Sequence, residues 1–145
     1  MPLDDKFYNR LIIEAREVQK LHFDGKIGKV SLICDKDRII SAGTQTYYRK
    51  ACPSSGVLDF GHKVGPEVDA FLRLDLPRGG SMYDFLRCLS IFTIGLSSQG
   101  NIKLAAPSNP VYGWLLSMRF RLVGWTQHNG NLYIPSISTV LKKDP

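Results

Sequence analysis

The sequence predicts an α+β fold, a mostly antiparallel sheet with two helices packed on it, in a single domain spanning residues 1–145. Three observations lead there. The chain opens on an amphipathic helical pattern, and β-rich runs separated by polar turns recur through the rest. Its 145 residues are 43% hydrophobic and 22% charged, a composition that suits one globular core rather than a disordered or fibrous chain.

Residues 3–21 read as the first helix: Phe7, Leu11, Ala15, Val18 and Leu21 recur at steps of four and three, with Asp4 and Asp5 at the favourable end. A strand through Leu11–Val18 is the alternative, since Ile13 and Ala15 alternate with Glu14 and Arg16. Lys29–Cys34 and Arg38–Ala42 read as a hairpin joined by Asp35, Lys36 and Asp37, without the glycine that such turns favour. Residues 51–66, rich in Pro, Ser and Gly, read as a long and mobile surface loop.

Val68, Ala70, Leu72, Leu74 and Leu76 alternate with Asp69, Phe71, Arg73 and Asp75 and predict a strand. After Gly79 and Gly80, Ser81 is a candidate N-cap for a helix running to Thr93, with Asp84 in its first turn. Ile102–Ala105 is a short strand candidate. Trp114, Leu116, Met118, Phe120 and Leu122 alternate as a further strand, and Asn129-Gly130 marks a hairpin. The return strand, Leu132–Val140, is interrupted by Pro135 and so belongs at a sheet border.

Nineteen Lys and Arg residues against thirteen Asp and Glu give a net charge of +6, which favours polyanions: nucleic acid, anionic lipid or acidic proteins. Three cysteines, Cys34, Cys52 and Cys88, suit a reducing compartment and buried free thiols. The longest nearly apolar stretch, Cys88–Leu96, is far below the ~20 residues of a membrane span. The acidic start resembles no signal peptide, and Pro2 excludes N-myristoylation. These features predict a soluble intracellular protein, in cytoplasm or nucleus, whose membrane contact is peripheral.

No catalytic set, metal site or cofactor is expected. His22, His62 and His128 are isolated, and no Cys or His pair has zinc spacing. The glycines of Asp24–Lys29 lack the phosphate-loop spacing, and Ser97–Gly100 lacks the preceding glycine of a nucleophile elbow. A small cytosolic enzyme built on the 51–66 loop, with Cys52 or His62, is the remaining catalytic reading. The binding candidates are Arg119, Arg121 and Trp125 along one predicted strand face, with Lys142 and Lys143 after the next strand. Cations interleaved with an aromatic ring can grip phosphates while the ring stacks on a base, or can approach anionic headgroups. A basic nucleic-acid-binding or host-interacting accessory protein follows from the same residues.

The block Asp69-Ala-Phe-Leu-Arg-Leu-Asp-Leu76, the turn, and Ser81-Met-Tyr-Asp-Phe-Leu-Arg-Cys-Leu-Ser-Ile-Phe92 resemble the strand–turn–helix unit of rhabdovirus matrix proteins. Leu132-Tyr-Ile-Pro-Ser-Ile-Ser-Thr-Val-Leu-Lys142 is similar to their C-terminal strand. The resemblance lies in the C-terminal half of the chain. It implies a non-enzymatic virion protein that self-associates and bridges ribonucleoprotein and anionic membrane through basic surfaces. The chain departs from the animal-virus members in lacking a Lys-rich N-terminal arm and a Pro-Pro-x-Tyr motif, which points to a divergent or plant-infecting relative.

Overall fold

The computed structural model describes residues 3–21, 28–48, 51–52, 57–58, 62–77 and 79–144. Helix α1 spans Asp5–Leu21, so the strand alternative for Leu11–Val18 does not form. The Asp4 carboxylate accepts the Phe7 N–H at 2.9 Å, which satisfies one of the unpaired donors of the first turn. Phe7, Leu11, Ala15 and Val18 are buried with Tyr8 and Ile12, whereas Leu21, at the last helical position, is 79% exposed.

Strands β1 (Lys29–Asp35) and β2 (Arg38–Thr44) form the expected hairpin. Lys36 takes the left-handed conformation (φ 56°) that glycine usually supplies in such a turn. The 51–66 segment is not simply a loop. β3 (Thr46–Tyr48) pairs with β6 (His62–Val64), and β4 (Ala51–Cys52) pairs with β5 (Val57–Leu58).

Helix α2 (Pro66–Leu72) replaces the strand expected over residues 68–76. Pro66 at the first helical position, with Glu67 and Asp69 in the first turn, outweighs the alternation. The apolar set that alternation placed on one face is scattered: Ala70 is buried, whereas Leu72 and Leu76 are exposed. Helix α3 (Met82–Leu86) is a single turn after Ser81, and β7 (Leu89–Leu96) takes the residues expected to continue that helix. All eight residues of β7 are buried. A strand covered on both faces has no polar side to alternate with, so its run of apolar residues fits a helix equally well. Residues 69–92 thus form a helix end, a one-turn helix and a strand rather than a strand–turn–helix unit.

β8 (Ile102–Lys103) pairs with the end of β7. Helix α4 (Asn109–Met118) replaces the strand expected from Trp114. Ser108 stands at its N-cap and Pro110 in its first turn, and Val111, Leu115 and Met118 recur at helical spacing, leaving Leu116 57% exposed. Arg119 ends the helix in the left-handed region, φ 62°. β9 (Leu122–Thr126) and β10 (Leu132–Ile134) flank the Asn129-Gly130 turn, in which Gly130 has φ 84° and Gln127 N–H donates to the Asn131 carbonyl at 2.8 Å. The single return strand expected over Leu132–Val140 does not form: Pro135 opens a 3-10 turn with Ser138 at φ 51°, and β11 (Thr139–Leu141) folds back antiparallel on β10 at the sheet border.

The main sheet runs β11-β10-β9-β7-β1-β2, with β8 beside β7. Every pairing is antiparallel except β7 with β9. Helix α1 covers one face, packing on Val30, Leu32, Phe92, Ile94 and Leu132. On the other face Ala70 of α2, Leu86 of α3 and Leu115 of α4 pack around Ile33, Leu89, Ile91 and Val123. The fold is α+β as expected, with four helices among the described residues where two were expected. Cys34 is buried, but Cys88 is exposed rather than buried.

Helix α2 meets β2 almost backbone to backbone. A Cβ on Gly43 would lie 2.1 Å from the Ala70 nitrogen and 2.4 Å from the Pro66 carbonyl oxygen. Around this contact Ser41 Oγ donates to the Ala70 carbonyl at 2.7 Å, and Thr44 N–H donates to the Asp69 carboxylate at 2.8 Å. Gly43→Ala is expected to destabilise the protein by about 3 kcal/mol or more, because the added methyl meets backbone that cannot rotate away. Gly113, inside α4 with nothing within 4 Å of an added Cβ, is the control. Gly113→Ala is expected to stabilise by roughly 0.5–1 kcal/mol. Urea denaturation of the two variants checks both signs.

Candidate polyanion-binding surfaces

Strand direction decides where the cations gather. Asp35 pairs with both Arg38 and Leu89, and Ser90 pairs with Leu122, so β1 ends where β2, β7 and β9 begin. Side chains adjoining these strand termini therefore crowd one end of the sheet. Lys36 and Arg38 come from the β1–β2 turn, Arg87 from just before β7, and Arg119 and Arg121 from just before β9; all are exposed. Arg121 N–H donates to the Leu89 carbonyl at 2.8 Å, tying the β9 approach to the start of β7. From α1, Arg10 reaches the same end and donates from Nη2 to the Asp37 carbonyl at 2.8 Å.

Acidic groups temper this end without cancelling it. Arg38 and Arg87 stand 3.7 Å from the carboxylates of Asp35 and Asp84, pairs that are open to water and so contribute little to stability. Arg119 lies over the Tyr83 ring, 5.5 Å from its centroid, a cation–π contact that orients the guanidinium. Among the described residues, Lys36, Arg119 and Arg121 enter no ion pair.

Lys142 and Lys143 lie at the opposite end. Leu132 pairs with both Thr126 and Leu141, so β9 and β11 finish together. Arg121 and Thr126 are separated by the length of β9, about 17 Å at strand spacing. Lys143 lines a cleft of about 360 Å³ with Asn9, Ile12, Ile13, Arg16 and Asp144. Arg16 also lines a neighbouring cleft of about 420 Å³ between α1 and the 98–101 turn, with Gln19 and Lys20. There Arg16 Nε donates to the Gly100 carbonyl at 3.0 Å and Gln19 Nε2 to the Ser97 carbonyl at 2.8 Å. Trp125 is half-buried on the sheet face away from α1.

The five candidate residues thus divide: Arg119 and Arg121 at one end, Lys142 and Lys143 at the other, Trp125 on the face opposite α1. Arg119 and Arg121 do not share a strand face, because Arg119 caps α4 and Arg121 precedes β9. Arg10, Lys36, Arg38 and Arg87 join Arg119 and Arg121 only through long-range pairings of β1 with β7 and β7 with β9, which no local pattern signals.

Burial favours the neutral form of Cys34, Tyr8 and Glu67. Burial pushes the Cys34 thiol up to about 12, and it raises the Tyr8 hydroxyl, which donates to the Gly130 carbonyl at 2.6 Å. Glu67, only 4% exposed, receives the Thr93 hydroxyl at 3.2 Å; Thr93 in turn lies 2.6 Å from the Ser31 hydroxyl. Burial raises the Glu67 carboxyl above its ordinary value, opposed by its own backbone hydrogen bond, the Thr93 hydroxyl and the nearby Lys29 charge. Among the described residues no group of three His, Cys, Asp or Glu is placed to hold a metal ion, and no helix is long and apolar enough to cross a membrane. The side chains of Cys52 and His62 lie outside the described residues.

A raised folded-state pKa fixes a sign. The Glu67 contribution to stability is complete below the ordinary value of 4.5 and is lost as pH rises through the folded value. Glu67→Gln, which keeps an acceptor for Thr93, is expected to match the parent near pH 4 and to melt higher than the parent at neutral pH. Thermal melts across that range read the difference, and a constant offset at every pH would contradict it. No family model, no curated protein and no solved structure matches the chain, so the functional reading rests on these surfaces.

Proposed function

We propose that this chain is a non-enzymatic structural protein of viral-matrix type that self-associates and bridges a ribonucleoprotein to an anionic membrane inside the host cell and in the virion. One observation carries the reading: two groups of cations stand at opposite ends of a single sheet, about 17 Å apart along β9. A bridge needs two separated contacts of this kind, whereas one binding partner needs only one.

The arginine-rich end suits nucleic-acid phosphates, because a guanidinium fork matches phosphate oxygens in two directions. The clefts beside α1, with Arg16, Lys20 and Lys143, suit anionic headgroups, to which each nearby cation contributes roughly 1 kcal/mol. Contact of this kind is peripheral and salt-sensitive. The open margin of β11, with Val140 45% exposed, is the self-association surface in this reading.

The two ends are separable by substitution. Arg119→Gln with Arg121→Gln is expected to lower the slope of log affinity against log salt for single-stranded RNA by about 1.4, roughly 0.7 per cation removed, and to leave vesicle flotation unchanged. Lys20→Gln with Lys143→Gln is expected to weaken flotation with phosphatidylserine vesicles by roughly 2 kcal/mol and to spare RNA binding. Equal, negligible binding to neutral and anionic vesicles, together with a concentration-independent monomer in sedimentation, would defeat the proposal.

A further inference from the structure

The sheet face opposite α1 is covered unevenly. β10 and β11 place Leu132, Ile134 and Leu141 in the core beneath α1, but contribute no residue to the core on the other face. That other face instead carries a cross-strand row. Thr93 pairs with Trp125, Trp125 with Tyr133, and Tyr133 with Val140, so the side chains of β9, β10 and β11 line up on one side. Trp125 and Tyr133 are half-buried, and Val140 is 45% exposed.

The rings are held in place by one another. Trp125 and Tyr133 have centroids 5.8 Å apart with planes at 82°, and Tyr112, from the first turn of α4, meets Trp125 at 5.6 Å and 86°. Gln127 and Asn131 flank the rings across the Asn129-Gly130 turn, and Lys142, exposed, follows the last residue of β11 with its backbone N–H donating to the Asp5 carboxylate at 2.8 Å. Fixed, half-exposed rings, side-chain amides beside them and a cation just past the end of β11 match the three needs of an unpaired nucleotide: a π surface, hydrogen-bonding groups for the base edge, and a counter-charge for the phosphate.

We propose that the Trp125–Tyr133 row is a stacking platform for the bases of single-stranded nucleic acid. This inference rests on the polyanion reading for the charge of the partner, and adds that bases, not only phosphates, are contacted. A bilayer is the less suitable occupant of this region, because the rings lie in a sheet and pack against each other instead of protruding on a loop.

The test uses the full chain with Trp114→Phe, which leaves Trp125 as the only tryptophan. The probes are a ten-nucleotide oligothymidylate, an abasic deoxyribose-phosphate oligomer of equal length, heparin, and phosphatidylserine vesicles. Oligothymidylate is expected to quench Trp125 emission and to bind roughly tenfold more tightly than the abasic oligomer. Tyr133→Leu, which keeps apolar packing, is expected to remove most of that difference, and Tyr133→Phe to retain it. Equal affinity for the thymidylate and abasic oligomers overturns the platform, as does quenching by vesicles without quenching by thymidylate. Heparin reports separately on the polyanion reading. Salt-dependent heparin binding without base-dependent quenching defeats the platform alone, whereas base-dependent quenching without heparin binding defeats that reading and leaves the platform standing.

Discussion

The parallel pairing of β7 with β9 is the constraint on which the arrangement of charge depends. In an antiparallel hairpin, the residue before one strand lies beside the residue after the other. A parallel pair instead sets the two starts side by side, with a connection that must travel back along the sheet. Here β8 and α4 make that return, and Ser90 meets Leu122. Arg87 therefore shares one end with Arg119 and Arg121, more than thirty positions later, and with the β1–β2 turn. Were β9 reversed, the same arginines would be divided between the two ends.

Packing on the two faces maintains this register by different means. Beneath α1 the contacts are apolar, and Phe7 meets Phe92 edge to face with centroids 5.7 Å apart. Under α2 they are polar and close: the Gly43 contact, the Ser31–Thr93–Glu67 chain and the Asp69 carboxylate, which pairs with Arg73 at 3.1 Å as well as receiving Thr44 N–H. Hydrogen bonds at these distances require the backbones to hold their positions, so α2 anchors the β2–β1–β7 half of the sheet. The β9–β11 half has helix cover mainly on the α1 side, and there aromatic rings stay within reach of solvent.

The elements legible from sequence are those whose signals are local. Helix α1 shows a regular apolar stripe with acidic residues at its start, and both hairpins are flanked by turn residues of recognisable type. Three segments were misread for one physical reason: apolar patterns at short range fit two periods. Val68–Leu76 alternates but begins with Pro66 and two carboxylates, and Trp114–Leu122 alternates but follows Ser108 and Pro110. In both, the helix-start signals win. Residues 89–96 meet the opposite fate, because burial on both faces removes the polar half of the strand pattern. The charged surface could not be read from sequence at all, since it arises from a strand pairing between distant segments.

Among the described residues, three other than glycine adopt positive φ: Lys36 at 56°, Arg119 at 62° and Ser138 at 51°. All three lie in turns at the same end of the sheet, and two of them are cations. Left-handed backbone costs a non-glycine residue roughly 1–2 kcal/mol relative to the ordinary helical region. Hydrogen bonding sets these turns, Lys36 between the paired Asp35 and Arg38 and Arg119 through its N–H to the Leu116 carbonyl at 3.2 Å, so both side chains leave from defined backbone positions. Preorganisation of this sort lowers the ordering entropy lost when an anion docks. Glycine at either position would ease the local backbone and surrender both the charge and its fixed point of departure.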